Sequence, residues 1–228
     1  MSESHRTSPI AHRTSPGLLL IISGPSGVGK TTITHHVERA LGGRFSVSVT
    51  TRPKTDKDTE GNDYYFIDRA EFDRRRDLGE LLEWAEVFGN CYGTPRQPVE
   101  EALAAGDLML LEIDVAGAIQ VKAKLPDAFA LFVLPPDEDT LLERLRRRGR
   151  EDESVIQRRF KKAKDEIAQA QACGAYDAFI VNDKLDDAVK EAVERVHREL
   201  ERRRNIAVTA APKAQALPGL GRTHRPNP

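Results

Sequence analysis

The chain has 228 residues, 39% of them hydrophobic and 31% charged, with 35 Lys and Arg against 36 Asp and Glu. That length can bury one large core without disulfide or metal staples, and a formal net charge of -1 excludes a global field that would make nucleic acid or an anionic membrane the main partner. The two cysteines, Cys91 and Cys173, lack C-x-x-C spacing and suit reduced, structural thiols in a cytosolic protein.

Residues 1–16 are polar, repeat His-Arg-Thr-Ser-Pro from His5 and from His12, and hold no apolar stretch of the kind a signal peptide carries, so a disordered tail is expected there. The first apolar run, Leu18 to Ile22, is too short to cross a bilayer and predicts a buried strand over 18–23. Gly24-Pro25-Ser26-Gly27-Val28-Gly29-Lys30-Thr31 follows directly, fits G-x-x-x-x-G-K-[ST], and precedes a helical pattern over 31–41. Its glycines let backbone N–H groups turn toward phosphate oxygens, Lys30 reaches the β- and γ-phosphates, and the Thr31 hydroxyl is placed to ligate Mg²⁺. These eight residues are the candidate triphosphate site.

A strand is expected over 45–49 and helices over 69–78 and 98–105. Between them, Ser46 to Arg52, Gly61 to Phe66, Glu83-Trp84 and Gly89 to Thr94 concentrate hydroxyls, an arginine, tyrosines and a carboxylate, an assortment that suits a nucleoside monophosphate. A strand over 108–113 brings Glu112 and Asp114 to one face at its carboxyl end, because side chains repeat every second residue. The rest alternates: helix 116–124, strand 129–134, helix 137–148 opened by Pro135-Pro136-Asp137 and closed by Gly149, helix 154–172, strand 179–181 and helix 185–203. From Asn205 onward Ala, Pro, Gly and scattered basic residues predict a flexible tail. The alternation predicts an α/β fold with a parallel sheet and ligands at the carboxyl ends of its strands.

Taken together, G-P-S-G-V-G-K-T at Gly24, S-V-S-x-T-T-R at Ser46, D-Y-x-F at Asp63, E-W-A at Glu83, G-N-x-Y-G-T at Gly89, L-E-I-D-V-x-G at Leu111 and I-V-N-D at Ile180 strongly resemble the guanylate kinases, P-loop kinases that move a phosphoryl group from ATP to GMP. The resemblance spans about Leu18 to Arg203. It implies a P-loop core (17–43, 99–134 and 165–204), an inserted GMP-binding subdomain (44–98) and a helical lid (135–164), with Mg²⁺ as cofactor and a monomeric or homodimeric cytoplasmic enzyme that needs no nucleic acid or membrane partner.

By the same resemblance, Arg52, Tyr64 and Tyr92 hold the GMP phosphate, while Ser48, Glu83, Thr94 and Glu112 read guanine. A carboxylate at Glu83 accepts from both the N1–H and the amine of guanine, whereas adenine turns a lone pair toward it. Asp114 orients the magnesium shell through water, with an N-cap role on the following helix as the alternative. In the basic run from Arg144, the lid positions fall on Arg144, Arg148 and Arg159, which join Lys30 and Arg52 as the catalytic set; Arg146, Arg147 and Arg150 are expected to face water. Asn182 and Asp183 border the adenine of ATP, against ordinary turn chemistry for such a pair.

Two positions depart from the pattern. Thr55 stands where the family carries a second phosphate-binding arginine, which leaves Lys54 or Lys57 to supply that charge, and Ala116 replaces a glutamine. The alternatives are a P-loop kinase of another monophosphate or of a phosphorylated sugar, and a non-catalytic module that binds phosphorylated peptides. The intact Lys30 and Thr31 disfavour the module.

Overall fold

The computed structural model describes residues 17–87, 89–147 and 152–210. The expected N-terminal tail, the Gly149 stop, Arg148, Arg150 and the chain beyond 210 lie outside the described residues. In chain order the elements are β1 (Leu18–Ser23), α1 (Lys30–Leu41), β2 (Arg44–Phe45), β3 (Val49–Thr50), β4 (Tyr65–Phe66), α2 (Arg69–Asp77), β5 (Leu81–Val87), β6 (Asn90–Pro95) and α3 (Arg96–Ala104). They continue with β7 (Leu108–Glu112), α4 (Val115–Lys124), β8 (Phe129–Leu134), α5 (Glu138–Arg147), α6 (Glu153–Ala172), β9 (Ala178–Val181) and α7 (Leu185–Ala210).

The sequence places an unbroken apolar run at β1, and the fold uses it as the centre of a five-stranded parallel sheet ordered β2-β7-β1-β8-β9. Every residue of β1 is buried, as a strand covered on both faces must be. Alternate side chains serve opposite faces. Leu18, Leu20 and Ile22 pack with Ile33 and Val37 of α1 and with Ala188, Ala192 and Val196 of α7. Leu19 and Ile21 pack with Val99 and Ala102 of α3 and with Ala118 and Val121 of α4. The mixed α/β class with a parallel central sheet is therefore as expected.

The expected strand over 45–49 is in fact two strands in two sheets. Arg44 and Phe45 pair with β7 at the edge of the parallel sheet, whereas Val49 and Thr50 belong to a second sheet ordered β4-β3-β6-β5, in which β3–β6 and β5–β6 are antiparallel. Its alternating pattern gave no sign of this, because period two runs on while the chain crosses from one sheet to the other. The hairpin of β5 and β6 was not expected as strands at all: Glu83, Trp84 and Glu86 interrupt the apolar signal. Phe72 of α2 and Val49, Leu81 and Cys91 form a separate small core beneath this sheet.

One further boundary moves. Helix α7 runs to Ala210, so the first residues of the expected C-terminal tail are helical. Helix α6 spans Glu153–Ala172, as the expected helix over 154–172 does. Leu141 and Leu145 of α5 pack on Ile156 and Ala163 of α6, which makes the two helices one hairpin with its own apolar seam. Both cysteines are unbridged. Among the described residues no helix is long and apolar enough to cross a membrane.

Candidate active site

The carboxyl end of β1 turns into the Gly24–Lys30 loop, and glycine geometry makes that turn. Gly24 has φ of 150°, and a Cβ there would stand 2.5 Å from the Val133 carbonyl; Gly29 has φ of 96° and would press a Cβ to 2.6 Å from Asn182 Nδ2. The apolar member Val28 is fully buried and anchors the loop in the core. Lys30 Nζ donates to the carbonyls of Gly24 (2.6 Å) and Pro25 (3.0 Å), so its ammonium is held over the mouth of the loop.

The start of α1 separates two cavities. Thr31 lines the larger, about 680 Å³, together with Ser48, Tyr64, Glu83, Tyr92, Glu112 and Asp114. Thr32 lines the smaller, about 340 Å³, together with Gly27, Val28, Gly29, Arg144, Arg147, Asn182 and Asp183. The larger is of a size to take a nucleotide, and the shared loop between the two has the chemistry of a phosphate site.

β5 and β6 place Glu83, in the wall of the larger cavity, beside the buried Thr94, whose Oγ1 donates to Glu83 Oε1 at 2.6 Å. The other oxygen abuts α4 so closely that a Cβ on Gly117 would lie 2.8 Å from Glu83 Oε2. Glu83 is 5% exposed, and burial pushes its carboxyl up to about 7 against the pull of Thr94; the Asp114 charge pushes the same way. A carboxylate kept this dry is primed for a partner that brings two N–H donors. Gln120 of α4, one turn beyond the exposed Ala116, exchanges two hydrogen bonds with the backbone of Trp84 and so ties the strand carrying Glu83 to the parallel core.

At the other end of this cavity the Tyr64 and Tyr92 rings meet edge to face, with centroids 5.7 Å apart. The Arg52 guanidinium lies 5.4 Å from the Tyr64 and Phe66 ring centroids and forms a bidentate pair with Asp58 at 3.0 and 2.9 Å. Burial raises the Tyr64 phenol, so both its proton and its donor capacity persist at neutral pH. Ser48 lies on the wall between the two ends.

Nearest the phosphate loop, Thr31 Oγ1 donates to Glu112 Oε1 at 2.9 Å. Asp114 Oδ1 accepts from Gly117 N at 2.8 Å and caps α4, the N-cap role weighed for it, and the residue also lines the larger cavity with Thr31 and Glu112. On the other side of the loop, Arg144 donates to the carbonyls of Asn182 (2.9 Å) and Asp183 (3.3 Å), and Arg159 donates to Ser26 Oγ. Asn182 is buried; its Nδ2 donates to Val28 O at 2.7 Å while its Oδ1 has no hydrogen-bond partner among the described residues. Asp183 is exposed. Arg148 lies outside the described residues.

Several residues around the site carried no motif signal. His35 and Glu38 of α1 line the larger cavity, and Arg147, exposed as expected, borders the smaller. Glu166 of α6 is mostly buried, burial raises its carboxyl, and it feels Lys162, Lys30 and Asp114 electrostatically. A helix position with ordinary spacing gives no hint of such proximity.

No group of three or more His, Cys, Asp or Glu able to cage a metal occurs among the described residues. A hydroxyl at Thr31 beside the carboxylates of Glu112 and Asp114 instead fits a hard divalent ion that arrives with its nucleotide and takes most of its ligands from phosphate and water.

A parallel sheet with a lysine-bearing phosphate loop after its central strand, and a separate cavity on each side of that loop, is the architecture of a P-loop kinase. The comparisons with known proteins narrow the class. The family model described as guanylate kinase matches residues 17–199. A guanylate kinase of Rhodopseudomonas palustris (strain HaA2) is 46% identical over 198 residues, covering 85% of this chain and 88% of the relative, and one of Gloeobacter violaceus is 49% identical over 190 residues, covering 83% and 90%. Among solved structures, a guanylate kinase from Anaplasma phagocytophilum aligns with TM-score 0.61 and 36% identity over 82% of this chain and 86% of that one. The chain belongs to the guanylate kinase family.

Proposed function

We propose that this chain transfers the γ-phosphoryl group of ATP to GMP, giving ADP and GDP, with ATP bound on the Asn182 side of the phosphate loop, GMP bound on the Glu83 side, and Mg²⁺ as the metal. The observation that carries the acceptor assignment is Glu83: a buried carboxylate, its proton affinity raised, with one oxygen already satisfied by Thr94 and set in the wall of a nucleotide-sized cavity. Guanine offers such an acid two adjacent donors. Adenine offers a lone pair and strands it, a mismatch worth orders of magnitude in selectivity.

The acceptor is a phosphate oxygen that is already anionic at neutral pH, so catalysis rests on positioning and charge neutralisation rather than on a strong base. Arg52, Tyr64 and Tyr92 orient the GMP phosphate, with Ser48, Glu112 and Thr94 completing the cavity around the base. Lys54 is assigned the second cation in place of the arginine missing at Thr55: its Nζ lies 5.9 Å from the Phe66 ring that Arg52 also faces, so the two positive groups gather round one ring. Lys30 and the backbone N–H groups from Gly24 to Thr31 hold the ATP phosphates. Arg144 and Arg159, with Arg148 beside them in sequence, neutralise the group in flight. The Thr31 hydroxyl, with Glu112 and Asp114 acting through water, would hold Mg²⁺, which would supply charge neutralisation at the ATP phosphates. The α5–α6 hairpin and the second sheet close over the cleft and exclude water.

The test is a coupled ADP-release assay with ATP, Mg²⁺ and a panel of monophosphates. GMP should be turned over with kcat/KM at least about 10³-fold above AMP, UMP and TMP. Comparable turnover of AMP contradicts the reading.

A further inference from the structure

Next to Tyr64, which lines the larger cavity, Arg52 belongs to a small network that the transfer reaction does not by itself explain. Asp58 accepts four hydrogen bonds. Arg52 NH1 and NH2 donate to its two oxygens at 3.0 and 2.9 Å, and Thr55 donates twice to Oδ2, from its backbone N at 2.7 Å and its hydroxyl at 2.6 Å. The turn closes on itself, since Asp58 N donates to Thr55 O at 3.0 Å. The Arg52 guanidinium and the Thr55 donors hold the Asp58 carboxyl well below the usual carboxylate range, so it stays ionised.

The guanidinium has two edges that can each grip an anion. Asp58 occupies the NH1–NH2 edge, and the second NH1 hydrogen goes to Pro53 O at 3.1 Å. The Nε–NH2 edge makes no hydrogen bond among the described residues. The Tyr64 and Phe66 rings, each 5.4 Å away, limit how the planar group can tilt. One edge is therefore clamped, and the other keeps two parallel N–H donors on a guanidinium that lies against the Tyr64 ring.

We propose that Asp58, braced by Thr55, is a positioning residue that orients Arg52 so that its remaining edge receives the acceptor phosphate. This rests on the assignment of Arg52 to that phosphate. It also gives Thr55, where the resemblance puts a second arginine, work of its own: its hydroxyl and N–H fix the carboxylate that fixes Arg52. The acceptor phosphate then meets an arginine that has already lost its rotamer freedom, which saves part of the ordering cost of binding.

The experiment measures steady-state constants for Asp58→Asn, Asp58→Glu and Arg52→Ala, together with the Kd of guanosine, which has the base but no phosphate. Asp58→Asn should raise the KM for GMP about tenfold, with kcat, the KM for ATP and guanosine affinity within about twofold, and Asp58→Glu should return the KM to within about threefold of the parent. An unchanged or lowered KM in Asp58→Asn overturns the proposal, the lowered value showing a carboxylate that competes with phosphate. A parallel loss of guanosine binding overturns it too, by assigning Asp58 to the fold of the segment. Arg52→Ala separates the two layers: if it leaves the KM for GMP unchanged, the assignment of Arg52 itself fails.

Discussion

Glu83→Gln should lower kcat/KM for GMP by about 10² to 10³, because the amide keeps one acceptor and turns an N–H toward the N–H groups of guanine. Glu83 is buried, so the clash cannot be relieved by water. The same variant should alter how the protein responds to pH. In the free protein the Glu83 carboxyl stands at about 7 against an ordinary 4.5. Across that window the folded chain holds a proton that the unfolded chain has released, so this group's contribution to stability is fully present below the ordinary value, falls as pH rises, and is lost above about 7. The loss is on the order of 3 kcal/mol. Glu83→Gln removes it, and thermal unfolding between pH 5 and pH 8 should show a flatter stability profile for the variant. GMP, whose N–H donors favour the ionised form, should pull the carboxyl down and bind with release of protons in that window. In the variant only the pH dependence from the phosphate's own second ionisation, near pH 6, should remain. Calorimetric titration of GMP in buffers of different ionisation enthalpy measures this directly, and equal proton release by parent and variant would show that Glu83 does not face the base.

Lys30→Met should lower kcat by on the order of 10³ or more, since it removes the cation assigned above to the ATP phosphates, and catalysis in this account is largely electrostatic. Its Nζ lies within 3.0 Å of two loop carbonyls, so the ammonium is held over the loop in the absence of nucleotide. Lys30→Arg should not rescue it. The planar fork is too large for a position ringed by carbonyls and serves best where bidentate geometry is wanted. GMP lies on the other side of the loop in this account, so its Kd should stay within about twofold of the parent in either variant. Rapid-quench measurement of the chemical step, with GMP titration alongside, separates these effects. A loss of GMP binding equal to the loss of rate would mean that the two cavities are not independent sites.

The parallel core was legible because its signals are local and redundant. Leu18 to Ser23 is apolar at five of six positions and buried at all six, and the glycine pattern that follows leaves few other conformations. Motif resemblance marks Glu83 and Thr94 as expected base readers, yet the sequence does not show that they are cross-strand neighbours, because the hairpin carrying them is too polar to read as strands. The expected strand over 45–49 divides for the converse reason: the pattern is regular, but its two ends hydrogen-bond to different sheets. The Asp58 clamp, Glu166 and Arg147 were out of reach, since contacts across a cleft or within an irregular loop leave no periodic trace. Resemblance marked Thr55 only as a loss, whereas its two hydrogen bonds to Asp58 give it a place in the phosphate end of the site.

The central claim is that one phosphate loop separates a donor pocket from a guanine-reading acceptor pocket that open toward each other. An adenosine and a guanosine joined through five phosphates would occupy both at once, and its Kd is the measurement that tests this most directly. It should bind at least about 10²-fold more tightly than either ATP or GMP alone, and more tightly than the analogue carrying adenosine at both ends, because the second half binds at high effective concentration. A linked ligand that binds no better than ATP, or no better than its bis-adenosine counterpart, would contradict the account.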